Sequence, residues 1–226
     1  MKKCIGVDNI FSLMVSINKD LSISTIIFDF GGVIVNLNQE EAVRRFEKMG
    51  VIDAKQRLNL YSQSGLFKDL EMGLIDSNEF CRDLSKLTGH AVTYDEAKYA
   101  WLGYIRSVPI DRLQFIQQLR KRYRVHLLTN TNPFIQSWAR SDEFSIERKP
   151  LTDYFDQIYC SYELHTYKPS LDFFKRVLQN EKISASETIF VDDGKANIES
   201  ASSLGMNVIW ANESCNWMNE LANILE

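Results

Sequence analysis

Cysteine is sparse and scattered. Cys4, Cys81, Cys160 and Cys215 lie far apart, no two form a CxxC pair, and none stands with histidine at metal-ligand spacing. This speaks against a thiolate metal site and fits a reduced, cytoplasmic chain. There is no basic excess either: 26 Lys+Arg against 30 Asp+Glu leave a net charge of -4, which makes neither nucleic acid nor an anionic membrane surface an expected partner. No run approaches the roughly 18 apolar residues of a membrane helix. The basic start Met1-Lys2-Lys3 leads into an apolar stretch that Asp8 and Asn9 interrupt before it reaches signal-peptide length. What remains is 226 residues with 45% hydrophobic and 25% charged side chains, enough for an enzyme-sized body with a substantial core.

The first strong strand is Thr25-Ile26-Ile27-Phe28-Asp29, a β-branched and aromatic run ending in a carboxylate and followed by Gly31-Gly32. Residues 1–23 precede it as an extension. Helical spacing then takes over: Ala42, Phe46 and Met49 before Gly50, and Phe80, Leu84 and Leu87 before Gly89, with both glycines placed as C-caps. Asp76-x-x-Glu79 and Thr93-x-x-Glu96 predict capping boxes. Residues 38–104 therefore read as an all-helical insert. After Pro109 helix and strand alternate: helix 110–122, strands 124–129 and 157–160, helix 169–180, strand 187–192, helix 195–204 and strand 207–211. Alternation of this kind predicts an α/β protein with a doubly wound parallel sheet of Rossmann-like order, and such sheets bind ligands at the carboxyl ends of their strands.

Four polar sites occupy such positions: Asp29, Thr129-Asn130, Lys168-Pro169 in the loop after strand 157–160, and Asp192-Asp193, separated by 100, 39 and 24 positions. Singly, each reads as turn or cap chemistry. Together and in this order they form a specific constellation. Over residues 24–212 the chain resembles the haloacid dehalogenase-like hydrolases, through Phe28-Asp29-Phe30-Gly31-Gly32-Val33-Ile34, Leu127-Leu128-Thr129-Asn130, Tyr167-Lys168-Pro169 and Phe190-Val191-Asp192-Asp193 with Asn197-Ile198 and Gly205 downstream. Within that family it looks most like the small-molecule phosphatases whose first motif reads Asp-x-Gly-Gly/Asn-Val, a branch that includes sugar-1-phosphate phosphatases.

The resemblance implies a catalytic core from 24–37 and 105–226 with residues 38–104 as the helical cap. It implies Mg²⁺-dependent hydrolysis of a small phosphorylated metabolite, a sugar phosphate by preference, through an aspartyl-phosphate on Asp29. Mg²⁺ would be held by Asp29, the carbonyl of Gly31 and Asp193, with Asp192 as ligand or water-mediated neighbour. Thr129 would donate to a phosphoryl oxygen, and Asn130 would stand beside it in the substrate site. Lys168 would set a positive charge on nucleophile and phosphoryl group, while backbone N–H groups of Phe30, Gly31 and Gly32 would cradle the phosphate. The cap would choose the substrate, with Glu71 of Glu71-Met72-Gly73 as a contact and Trp101 either at the mouth or in cap packing. The chain is expected to work as a monomer or homodimer.

One position departs from the family. Two residues after the nucleophile most of its phosphatases carry a second Asp that serves as acid and base, and here Gly31 stands there. General acid–base help contributes about 10²–10⁴-fold in rate, so three readings follow. A phosphatase could tolerate the change with a good leaving group, such as an anomeric, acyl or aryl oxygen. A 2-haloacid dehalogenase would need neither the proton nor a metal, but it leaves Asp192 and Asp193 beside Asp29 without a cation. A binding or regulatory protein would keep the fold without turnover. Among the histidines, His165 is nearest the expected mouth, with His90 in a turn and His126 inside an apolar strand.

Overall fold

The structure is a computed structural model and describes residues 15–16, 22–59, 63–212 and 214–226; Cys4 and most of the 1–23 extension lie outside them. A six-stranded sheet has the order β1 (Val15–Ser16), β8 (Asn207–Trp210), β7 (Thr188–Asp192), β2 (Thr25–Phe28), β5 (Arg124–Thr129) and β6 (Gln157–Cys160). The five strands from β8 to β6 run parallel, and β1 joins β8 antiparallel at the edge. The β2 strand is buried throughout, as its unbroken Thr-Ile-Ile-Phe run requires of a strand covered on both faces.

Side-chain alternation divides the core in two. Ile26, Phe28, Leu127 and Val191 face one way, toward Leu113 and Ile116 of α6 (Ile110–Leu119) and Trp217 and Leu221 of α11 (Trp217–Leu225). Ile27, Leu128, Phe190 and Val208 face the other way, toward α9 (Leu171–Glu181) and α10 (Lys195–Ser203). The face that α9 buries is Phe173, Phe174 and Val177, whereas a period counted from Leu171 selects Leu171, Phe174 and Leu178. Ser170 is the N-cap, so Leu171 opens the first turn and is 40% exposed.

Between β2 and β5 lie α1 (Gln39–Lys48), α2 (Ala54–Arg57), α3 (Leu66–Glu71), α4 (Ser77–Thr88) and α5 (Tyr94–Trp101). Two short strands, β3 (Asn36–Leu37) and β4 (Ile105–Ser107), pair antiparallel where the chain leaves the sheet layer and returns to it. Both capping boxes form, at Asp76/Glu79 and Thr93/Glu96. The helices meet on the rings of Phe46, Phe67, Phe80 and Trp101, with centroids 5.0 to 6.0 Å apart. Leu87 turns away and is 42% exposed. Phe80 and Tyr94 also pack on Phe134 of α7 (Pro133–Ala139), which ties this layer to the segment after Thr129. Among the described residues no helix is long and apolar enough to cross a membrane.

Candidate active site

The sheet reverses its winding at β2: one crossover leads to β5 on one side, and the later strands β7 and β8 lie on the other. A crevice therefore opens beyond the carboxyl end of β2. Phe28 pairs with Leu127 and with Val191, so Asp29, Thr129 and Asp192 emerge on the same rim. A short helix, α8 (Ser161–Leu164), and the loop after it carry Lys168 to that rim, where Lys168-Pro169 is a cis peptide.

Lys168 is 1% exposed, and its Nζ lies 2.7 Å from Asp29 Oδ1 and 2.7 Å from Asp192 Oδ2. Asn130 holds the lysine backbone at two points: its Oδ1 accepts from Lys168 N at 2.8 Å and its Nδ2 donates to Lys168 O at 2.8 Å. Asp192 is fully buried, and its other oxygen accepts from Gly194 N at 2.7 Å and Asn197 Nδ2 at 2.9 Å. Three partners on its carboxylate leave it little to offer a ligand directly. Asp29 Oδ1 accepts from Phe30 N at 2.6 Å as well as from Lys168. Both contacts go to one oxygen, so Oδ2 is left for the cleft.

The Gly31 and Gly32 turn is shaped by the acidic pair. Gly32 has φ 73°, and a Cβ there would stand 2.3 Å from Asp193 Oδ2. A Cβ on Gly31 would meet Leu37 Cδ1 at 2.9 Å, so hydrocarbon fills the direction in which an acid at this position would extend. Gly32 N donates to Val35 O at 2.9 Å, and Phe30 N is held by Asp29. Thr129 Oγ1 points along the rim to Asn130 O at 3.3 Å.

Asp29, Asp192 and Asp193 bring one carboxylate oxygen each within 4.8 Å of one another. Burial, with the neighbouring Asp192 charge, raises Asp29 to about 7 even though Lys168 pulls it down. Burial, then Asp29 and Asp192, raises Asp193 to about 8. Burial also works against the Lys168 charge, but Asp192 and Asp29 outweigh it and hold that ammonium above its usual pKa. One ammonium thus faces three carboxylates, and the excess negative charge sits on oxygen donors, the set that a hard divalent cation such as Mg²⁺ prefers. The residues fit the ion.

The cleft above has about 660 Å³ of empty space, its open mouth included, which suits a small ligand. Asp29, Phe30, Gly31, Thr129, Asn130, Lys168, Asp193 and Glu71 all border it. So do Gln63, Tyr104, Thr131 and Leu37, which the sequence did not single out because no motif marks them. Trp101 does both things expected of it, packing in the ring cluster and lining the cleft. Of the histidines, His165 approaches Met72 O through Nδ1 at 3.3 Å, and His126 is buried beside Glu181.

A doubly wound core with an acidic trio, a buried lysine and a strand-end threonine defines a class of hydrolase. The profile of the haloacid dehalogenase-like hydrolases matches residues 23–205, and the chain belongs to that family. Over 203 residues it is 45% identical to a D-ribitol-5-phosphate phosphatase of Bacteroides thetaiotaomicron, covering 90% of this chain and 98% of that one. A HAD-like hydrolase structure from Porphyromonas gingivalis superposes with TM-score 0.86 at 36% identity, over 91% of this chain and 98% of the other. A family enzyme of B. thetaiotaomicron, an aspartate-to-alanine mutant crystallised with magnesium and inorganic phosphate, gives TM-score 0.82 at 29% identity over 88% and 98%.

Proposed function

We propose that the protein is a Mg²⁺-dependent phosphatase of a small sugar or sugar-alcohol phosphate, with Asp29 as nucleophile. The observation that carries this reading is the division of labour on Asp29: Lys168 and Phe30 N hold Oδ1, which leaves Oδ2 for chemistry in a cleft that Asp29 and Asp193 both line. Oδ2 attacks phosphorus, the bond to the leaving oxygen breaks, and an aspartyl-phosphate forms. Water then hydrolyses the acyl phosphate, releasing inorganic phosphate and restoring Asp29. Lys168 opposes the repulsion between nucleophile and phosphoryl group, and Thr129 and the Gly31 N–H would donate to phosphoryl oxygens. Asp29, Asp193 and the Gly31 carbonyl would hold Mg²⁺, with Asp192 behind them, and the bound ion would neutralise charge on the phosphoryl oxygens.

Asn130 acts through Lys168, whose backbone it fixes. With Gly31 in place of an acid, water or a hydroxyl of the substrate supplies the leaving oxygen with its proton. The relative that acts on D-ribitol 5-phosphate hydrolyses an ester of a primary alcohol, so terminal phosphates of open-chain polyols and sugars stand ahead of esters with activated leaving groups. Residues 38–104 act as the cap over residues 24–37 and 105–226. The protein acts in the cytoplasm as a monomer or homodimer, without a nucleic-acid or membrane partner.

The test is phosphate release from polyol and sugar 5-phosphates, sugar-1-phosphates, acetyl phosphate and an aryl phosphate, with Mg²⁺ or with chelator. Turnover that needs both the metal and Asp29 is expected. Metal-independent halide release from short 2-haloacids would instead identify a dehalogenase, and silence on every ester would leave a binding protein.

A further inference from the structure

Resting on that phosphatase reading, the structure points further: we propose that the cleft selects monophosphates whose leaving group is uncharged and hydroxylated, and that Glu71 is the specificity-determining residue. Besides the strand-end groups, the cleft is lined by residues of the segment between β2 and β5: Leu37, Gln63, Glu71, Trp101, Tyr104 and Ile105. None of these is a cation. Among the described lining residues Lys168 is the single cation, and its ammonium is committed to Asp29 and Asp192. A carboxylate or second phosphate on the leaving group would therefore enter a region with polar groups but no positive charge, and lose its hydration there without compensation.

A hydroxylated chain meets a different environment. Tyr104 Oη donates to Asn59 O at 3.2 Å and lies 3.4 Å from Gln63 Nε2, so its lone pairs and the adjacent amide present a fixed polar wall. Trp101 and Thr131 also line the cleft, while the Nε1 and Oγ1 atoms themselves are buried with no partner among the described residues. Glu71 makes no hydrogen bond or ion pair within the described structure, and burial alone raises its pKa to about 8. Burial thus favours its protonated form, which can both donate to and accept from a substrate hydroxyl.

Its position is built in. Glu71 ends α3, and the following turn docks on the segment that carries Lys168. Gly73, at φ 66°, leaves no room for a Cβ, which would lie 2.1 Å from Tyr162 O. His165 Nδ1 meets Met72 O at 3.3 Å, and Lys68 Nζ lies 5.2 Å from the centre of the Tyr167 ring. The helix end that presents Glu71 and the loop that presents Lys168 are therefore registered against each other, and leaving group and phosphoryl group are read from one rigid frame.

The experiment compares three five-carbon esters with Mg²⁺: D-ribitol 5-phosphate, pentyl phosphate, and the 5-phosphate of a five-carbon sugar acid. The wild type is expected to favour the polyol ester in kcat/KM by about tenfold or more over the other two. Glu71→Gln, which keeps donor and acceptor, should retain that preference. Glu71→Leu should lose about tenfold on the polyol ester relative to pentyl phosphate, with intact folding checked by circular dichroism. Glu71→Lys should raise the sugar-acid ester relative to the polyol ester. Equal kcat/KM for the three esters in the wild type, or an equal loss on all three in Glu71→Leu, would overturn the inference and leave the phosphatase standing. Silence of the wild type on all three and on an aryl phosphate would refute the phosphatase reading, and this inference with it.

Discussion

Replacing Lys168 by Met keeps the length of the side chain and removes the one ammonium that holds the acidic trio together. The lysine is 1% exposed, and its two partners are 13% (Asp29) and 0% (Asp192) exposed at the side chain. Solvent cannot take over its role. Breaking a buried ion pair by deleting one partner costs about 3–5 kcal/mol, since the surviving charges remain desolvated and unpaired. For a chain of this size each kcal/mol is about 2–4 °C in melting temperature, so a fall of roughly 6–20 °C is expected in chelator at pH 8.5. Asp29 and Asp193 can relieve part of this by taking up protons, as their pKa values of about 7 and about 8 already indicate. The deficit should shrink at pH 6, and Mg²⁺ should restore stability to the variant at pH 8.5. Thermal melts give the fall in melting temperature, and urea titrations of both proteins at the two pH values, with and without Mg²⁺, give the free-energy differences. A loss below about 1 kcal/mol in chelator at pH 8.5 would refute the claim that Lys168 neutralises a buried acidic cluster.

Other perturbations follow from the same geometry. Gly32→Ala should lower Mg²⁺ affinity and cut kcat/KM by about tenfold or more, read by metal titration and kinetics, because a Cβ 2.3 Å from Asp193 Oδ2 must displace that carboxylate. Asn130→Ala removes two 2.8 Å bonds to the Lys168 backbone. It should cost about 1–3 kcal/mol in urea unfolding and lower kcat more than it raises KM. Glu71 holds a proton in the native state up to about pH 8 that the unfolded chain releases near 4.5. Its contribution is full below pH 4.5 and is lost as pH rises to 8, at a slope of at most about 1.4 kcal/mol per pH unit, reduced by its partial exposure. Glu71→Gln should therefore gain stability relative to wild type between pH 5 and 8 with Mg²⁺ present, and parallel profiles for the two proteins would contradict the assignment.

The strand-end half of the candidate site was legible because parallel strands buried on both faces leave unbroken apolar runs, and the residue after each run falls on the rim of the sheet. Asp29, Thr129 and Asp192 are found this way, and Lys168 is found from the Tyr167-Lys168-Pro169 motif in the loop after strand 157–160. The substrate half was not legible. Gln63, Tyr104 and Thr131 reach the cleft only through the way α3, the turn after α5 and the start of α7 pack together, and no local pattern encodes that. Helix faces also drifted: Leu87 and Leu171 fit an apolar period, yet each sits close to a helix end where the chain has already turned to solvent. The filling of the space beside Gly31 by Leu37 depends on the β3–β4 pairing, a contact between segments about 70 residues apart.

The central claim is that phosphate leaves its ester by transfer to Asp29. The most direct measurement is an acid quench during turnover of D-ribitol 5-phosphate with Mg²⁺, followed by peptide mass analysis of the wild type and of Asp29→Asn. One added phosphoryl group, labile to hydroxylamine, is expected on the peptide containing Asp29, with neither adduct nor phosphate release in the variant. Steady phosphate release by Asp29→Asn at the wild-type rate, or a phosphoryl group carried on another peptide, would contradict that claim.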